Sequence, residues 1–412
     1  MNLFSYIFLA ALLVSFAVQW GLLYRHRAHV GRHRGAVPAQ FRDKVPLEAH
    51  QKAADYTAAK SSLAMIDLFI SVALLLLWTL AGGLEFIDQF WRELGLSAIW
   101  TGTGFMLSVM LISSILDLPL SLYRTFVLEE KFGFNKTTAR VFVTDMLKNT
   151  ALTMLIGVPL LALILWLMDN AGEMWWLYVW MTWFGFSLFM MWFYPAFIAP
   201  LFNKFRPLDN VELRDRIESL LTRNGFASRG IYVMDGSSRS THGNAYFTGM
   251  GSNKRIVFYD TLMNELTNEE IEAVLAHELG HFKCNHIRKR IAILGVMFLA
   301  GFALLGWLIN QPWFYSGLGV SSGSTWMALT LFMMVMPVFT FFTQPLFSYY
   351  SRRHEFEADN FAAAQGRTAD LIQALVKLYK ENANTLTPDP LYSAFHDSHP
   401  PAPVRIAHLM GK

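Results

Sequence analysis

His277 and His281 stand four residues apart with Glu278 beside the first, in Leu275-Ala276-His277-Glu278-Leu279-Gly280-His281. A helix brings residues i and i+4 onto one face, so both imidazoles can ligate a single ion while Glu278 faces the water that ion would activate. His-Glu-x-x-His is the spacing of zinc-dependent peptide hydrolysis, with the glutamate as general base. The motif requires a helix, and the preceding residues encode one. Thr267-Asn268-Glu269-Glu270 reads as a capping box, and Ile271, Val274, Leu275 and Leu279 form an apolar stripe.

A catalytic zinc takes three protein ligands and leaves a fourth position open. The strongest third candidate lies in Arg353-His354-Glu355-Phe356-Glu357-Ala358-Asp359, where Glu355 and Asp359 share a helical face. Glu355 would complete the ligand set, and Asp359 would accept the remaining N–H of a ligand histidine and fix its tautomer. Glu357 points elsewhere on that helix. Cys284, three residues after His281, is a conceivable alternative ligand, although a lone cysteine is more often a small core residue. On a continuous helix His286 lies about 140° round from His281, and His354 projects roughly 100° from Glu355, so neither is a good co-ligand.

The site must be held by a membrane protein. Of 412 residues, 54% are hydrophobic and only 16% charged, an excess over soluble proteins that gathers into long runs. Seven stretches suffice to span a bilayer, roughly 2–24, 62–84, 98–123, 150–168, 174–202, 290–309 and 325–350. Charges follow the first run instead of preceding it, so it is expected to be a retained span and not a cleaved signal. Arg25, Arg27, Arg32, Arg34, Arg42, Lys44, Lys52 and Lys60 crowd the first connection, and Arg124, Lys131, Lys136, Arg140 and Lys148 the third, whereas the second holds only Arg92. By the positive-inside rule the N-terminus lies outside, and both large polar segments and the C-terminus lie in the cytoplasm.

The basic cluster at Arg25 to Arg34 therefore reads as a topology signal with anionic-lipid contacts and not as a nucleic-acid site. The single cysteine excludes an intramolecular disulfide. Trp100, Trp175, Trp176, Trp180 and Trp313 lie near span ends, where interfacial anchoring is expected. Asp67 and Asp117 fall inside spans, which points to a polar interior or to hydrogen-bonded helix contacts. The expected division is 1–202 for spans one to five, 203–289 for the segment with the metal motif, 290–350 for spans six and seven, and 351–412 for the remainder of the protease part.

Over essentially its whole length the chain resembles the type I CAAX prenyl endopeptidase family of integral-membrane zinc proteases. The resemblance is carried by Glu129-Glu130-Lys131-Phe132-Gly133-Phe134-Asn135, Asn244-Ala245-Tyr246-Phe247, His277 to His281, Glu355 to Asp359 and Phe395-His396-Asp397-Ser398-His399-Pro400. It implies an all-α multi-span membrane protein, seven helices forming a ring around an intramembrane chamber, with a small α+β cytoplasmic zinc-protease domain. It implies one Zn2+ per chain on His277, His281 and Glu355, with Glu278 as base and His399 contacting the substrate carbonyl or tetrahedral intermediate. Asp359 would support a ligand histidine, and Arg405 would act by salt-bridging and fold support; the role of His396 stays open. Asn244, Ala245 and Tyr246 match the family's substrate-binding edge strand, here running to Gly249, with a turn at Gly251, Ser252 and Asn253 and a second strand from Lys254 to Tyr259. A purely structural hairpin is the alternative.

The expected function is hydrolysis near the C-terminus of CAAX-type prenylated or other membrane-associated peptides. A quality-control protease with no prenyl requirement is the alternative within the same class. From another class, a seven-span receptor or transporter with a regulatory zinc site fits the span count, but does not need Glu278 beside the first ligand. The expected partners are a peptide or lipidated-peptide substrate and the lipid bilayer. Compact connections favour a bacterial inner membrane over the endoplasmic reticulum.

Overall fold

The computed structural model describes residues 1–226, 228, 230–248 and 255–411. Among them, seven helices are long and apolar enough to cross a membrane. The chain opens with α1 (Leu3–His33) and α2 (Leu47–Trp78), a short amphipathic α3 (Gly83–Glu93), then α4 (Ala98–Glu129), α5 (Ala139–Asn170) and α6 (Gly172–Phe202). A mixed segment follows: β1 (Phe205–Pro207), α7 (Val211–Arg223), β2 (Ile231–Met234), β3 (Ala245–Thr248), β4 (Arg255–Tyr259), α8 (Asp260–Glu265) and α9 (Asn268–Lys283). The last spans are α10 (His286–Leu308) and α12 (Thr325–Ala364), separated by the short α11 (Pro312–Gly317). Helices α13 (Thr368–Glu381), α14 (Pro390–His396) and α15 (Ala402–Leu409) complete the protease part.

Each expected apolar run lies within or largely within one of these helices. The second ends at Trp78 and not at residue 84, because Gly82 turns the chain with a left-handed backbone, φ 83°, into α3. Arg92, the lone cation of that connection, is used locally: Asp88 accepts from Arg92 Nε at 2.8 Å and from Trp326 Nε1 at 2.7 Å. The long helices outrun a hydrocarbon core of about 30 Å, since 31 or 32 residues rise roughly 46–48 Å. Their excess length reaches the protease part, where Arg25 on α1 binds Asp389.

All seven spans close together at the end far from the protease part. Phe8, Trp78, Phe105, Leu165, Val179, Leu305 and Leu331, one from each span, are buried in a single apolar cluster. Trp175, expected as an interfacial anchor, is instead part of that cluster, and Trp180 donates to the Gly295 carbonyl. Away from this closure the helices separate. In six of the seven the apolar window is only 11–22% buried, because one face meets lipid and the other faces enclosed space.

A cavity of about 930 Å³ there is lined by Ser15, Gln19, Asp67, Ser71, Ser113 and Gln344, among others. Asp67 thus faces water-accessible space, 3.5 Å from Arg124. Asp117 lines a separate cavity with Ser114, Ser121 and Asn149.

In the protease part the strands form one sheet in the order β1-β2-β4-β3, parallel between β2 and β4 and antiparallel elsewhere. Val233, Ile256 and Phe258 pack with Ile271, Leu275 and Leu279 of α9, so the stripe read from sequence is the buried face of the metal-motif helix. Its capping box forms: Thr267 Oγ1 accepts from Glu270 N–H, and Glu270 accepts from Thr267 N–H at 2.8 Å. Strand β3 is an outer strand, paired with β4 in register Tyr246 to Val257. Gly249, expected as the strand's end, and Gly251, Ser252, Asn253 and Lys254, expected as a turn and strand start, lie outside the described residues.

Candidate metal centre and active-site cleft

Helix α9 presents His277 and His281, and α12 crosses it to present Glu355. The crossing is close because Gly280 has no side chain: a Cβ there would stand 2.9 Å from the Ala358 Cα. Helix proximity thus comes from the glycine inside the motif itself. His277 Nε2 and Glu355 Oε2 are 3.4 Å apart, and His281 Nε2 and Glu355 Oε1 are also 3.4 Å apart. One donor atom from each of the three residues lies within 4.8 Å of the other two, close enough for all three to share one ion. Glu355 is 3% exposed, and its buried Oε2 lacks a hydrogen bond among the described residues. Such a carboxylate oxygen, amid imidazole nitrogens, fits a metal ion.

The second support of the site is Asp359, fully buried and 2.8 Å from His277 Nδ1. Arg405 donates to the same carboxylate from Nε at 2.9 Å and from Nη2 at 2.5 Å. Burial alone would lower the Arg405 pKa, but the Asp359 carboxylate more than offsets this and holds it above the usual value. Arg405 sits on α15, so the C-terminal helix is tied to α12, which carries Glu355 and Asp359, through ion pairs to both carboxylates.

Glu278 lines a cleft of about 520 Å³ with Tyr246, Phe247, His281, Glu355 and His399. Among the described residues its carboxylate has neither an ion pair nor a hydrogen bond, and it is half-buried at the cleft wall. His399 Nε2 reaches within 3.4 Å of Glu355 Oε1, while most of its ring remains exposed to the cleft. Ala245 and Tyr246 lie on the outer strand, and Asn244 immediately precedes it, its carbonyl bonded to Tyr259 N–H. Burial pushes the Tyr246 pKa up to about 12, so its hydroxyl stays protonated at neutral pH.

His286 and Glu357 are brought to the site by a break that a continuous-helix reading missed. Asn285 takes φ 57°, ending α9 and starting α10 in a new direction. His286 therefore folds back, its Nδ1 2.9 Å from His281 Nδ1 and its Nε2 2.9 Å from Glu357 Oε2. His354 stacks on the His286 ring at 3.9 Å. Glu357, expected to point elsewhere, does miss the metal donors but ends this hydrogen-bonded chain. The available sequence signal was the asparagine, which tolerates a left-handed backbone better than most residues. Cys284 falls in a cluster with His286 and Glu357, apart from the donors His277, His281 and Glu355. His396 is half-buried, with Nδ1 3.2 Å from the Gln344 amide.

Comparison with known proteins gives the family. Residues 26–204 match the family described as CAAX prenyl protease N-terminal, five membrane helices, and residues 207–412 match Peptidase family M48. The Arabidopsis thaliana protein named CAAX prenyl protease 1 homolog is 42% identical, over 75% of this chain and 73% of its own length. CAAX prenyl protease 1 of Saccharomyces cerevisiae is 34% identical over 96% and 93% of the two chains, and the Homo sapiens homolog 32% over 98% and 95%. The crystal structure of S. mikatae Ste24p superimposes with a TM-score of 0.91, at 33% identity, covering 99% of each chain. With both halves of the chain matched, and the Saccharomyces cerevisiae protein and the Ste24p structure covered over 93% and 99% of their lengths, this chain belongs to peptidase family M48 and is a multi-pass membrane metalloprotease.

Proposed function

We propose that the protein is a zinc endopeptidase that hydrolyses peptide bonds near the C-terminus of CAAX-type prenylated substrates. The observation that carries this reading is the cleft itself: an outer strand, an unpaired Glu278 and a three-donor metal centre open onto one space. His277, His281 and Glu355 would hold the ion, and a donor set of two imidazoles and a buried carboxylate supports zinc. When bound, zinc supplies Lewis acidity, polarising the scissile carbonyl and acidifying water.

The remaining roles belong to the chain. Substrate lies extended against the segment Asn244, Ala245 and Tyr246 and bonds to the open edge of β3 through the Ala245 backbone, since the Asn244 carbonyl is taken by Tyr259. Glu278 takes the proton of the attacking water and later delivers it to the leaving amine, for which an unpaired carboxylate is suited. His399 donates to the oxyanion from the exposed side of the cleft. Asp359 accepts from His277 Nδ1 and is itself held by Arg405, while His286 and Glu357 orient His281.

The last pair makes a prediction. His286→Phe keeps the ring volume but removes both hydrogen bonds, and is expected to weaken metal affinity about 10–100-fold. Competition with a chelator, read as zinc retained per chain, measures it; unchanged affinity would remove His286 from the site.

The cleft meets the intramembrane cavity, since Met297 and Phe347 line both, and this supports a lipidated segment lying within the ring while its peptide reaches the metal. The basic connections lie beside the protease part, as in Lys136 N–H to the Arg239 carbonyl and Arg25 to Asp389, which supports a cytoplasmic catalytic side and an outer N-terminus. A bacterial inner membrane is supported by the compact connections.

Matched peptides with and without the prenyl group test the substrate class. The prenylated form is expected to be cleaved with the higher kcat/KM. Equal values would favour a protease of membrane-associated polypeptides with no prenyl requirement.

A further inference from the structure

Behind His399 lies a second cavity, of about 450 Å³, enclosed by α1, α2 and the segment from Tyr379 to Pro401. Its size suits a small ligand or a short peptide end. Ser398 and His399 line this cavity and the active-site cleft alike, so the two spaces meet beside the metal centre. Nothing in the roles assigned above uses it. One cation stands in its wall: Lys60, an exposed side chain of α2, with its ammonium 4.7 Å above the Tyr56 ring. Among the described residues that ammonium makes no ion pair or hydrogen bond, and the Glu129 carboxylate beyond Tyr56 acts on it only electrostatically. An unpaired cation in a protein-walled cavity is suited to an anion.

Strand polarity says which anion arrives there. Tyr56 donates to Glu129 at 2.7 Å, and Glu129 in turn lies 3.8 Å from His242, two residues ahead of Asn244. Lys60 therefore stands near the N-terminal end of β3. A peptide adding to the open edge of β3 in the antiparallel sense runs its carboxyl end toward that end. Its scissile bond lies at the metal centre, and the residues beyond pass His399 toward Lys60. The Asp397 carboxyl also lines the cavity; burial raises its pKa, which limits its repulsion of a second carboxylate.

We propose that the cavity behind His399 seats the free C-terminal carboxylate of the peptide substrate, with the Lys60 ammonium as the group that recognises it. The inference rests on the reading that cleavage occurs near a C-terminus. It gives that reading a physical ruler: the distance from Lys60 to the metal centre sets how many residues are removed.

The test uses the zinc-loaded full chain in mild detergent, with one CAAX-type peptide prepared as free acid and as C-terminal amide. Wild type is expected to prefer the acid by about tenfold or more in kcat/KM, chiefly through KM, as for a charge-assisted hydrogen bond. Lys60→Met should erase the difference, and Lys60→Arg should restore much of it. Amide cleavage by Lys60→Met reports whether the variant is folded. A preserved acid preference in Lys60→Met overturns the proposal, as does its loss in Arg290→Met alone, since Arg290 lines the active-site cleft and not the cavity of Lys60.

If wild type cleaves neither peptide, the substrate reading fails by itself. Binding of a dye-labelled aliphatic tripeptide, acid against amide, to wild type and Lys60→Met then decides the carboxylate site. Tighter binding of the acid that depends on Lys60 upholds it, and equal binding overturns it.

Discussion

Glu278→Gln is expected to leave a folded, zinc-loaded protein whose kcat falls by about 10²–10⁴-fold, the usual contribution of a positioned acid–base group. Three features set this result apart from general damage. Among the described residues Glu278 has no hydrogen-bond or ion-pair partner to lose, its neighbours His277 and His281 keep their contacts with Glu355, and glutamine preserves the side chain's volume. Zinc stoichiometry by elemental analysis, run beside cleavage of a CAAX-type peptide, separates chemistry from binding. Retained proteolysis with one zinc per chain would take the base role away from Glu278. Loss of zinc would mean that the glutamate holds the centre together instead.

Arg405→Ala carries the largest expected stability cost. It strips Asp359, which is fully buried, of two charge-assisted hydrogen bonds and leaves a carboxylate facing His277 alone. Removing one partner of a buried pair typically costs about 3–5 kcal/mol, because the remaining charge stays desolvated. Here the charge supports a metal-donor histidine, so two readouts should fall together: the thermal midpoint in detergent and the retained zinc. The double change Arg405→Met with Asp359→Asn should recover part of the midpoint, since no lone charge remains. It should not recover zinc affinity, because the acceptor for His277 Nδ1 is weakened. A single variant with an unchanged midpoint would show that water satisfies Asp359 and that the pair does not brace the site.

Both predictions draw on parts of the site that differ in how they are written in the chain. The donors on α9 were legible because they lie within two helical turns: spacing, capping box and apolar stripe are local, and the helix has little other choice. Glu355 and Asp359 were legible as a pair for the same reason, although their meeting with α9 depends on the small residues Gly280 and Ala358 at the helix crossing. The seven spans were legible from composition because no other backbone arrangement survives in hydrocarbon. Their true lengths were not, since a helix continues past its apolar stretch wherever the protein supplies contacts, as Arg25 does with Asp389.

What the sequence by itself determined was therefore the chemistry and the membrane setting: two histidines and a base on one turn-spaced face, a carboxylate pair to meet them, and seven spans. Only the tertiary structure decided what surrounds those groups. Asn285 breaks the helix and returns His286 to His281, against the angle that a straight helix gives. Lys60, read in sequence as one of eight basic residues marking topology, emerges into a cavity beside His399, more than three hundred residues away. The reason is physical: periodicity specifies which face of an element is apolar, whereas the partner of that face is fixed by packing among elements distant in the chain. The spacing in the metal motif is short enough to need no such partner, and the enclosure that would direct a substrate to it is built entirely from such partners.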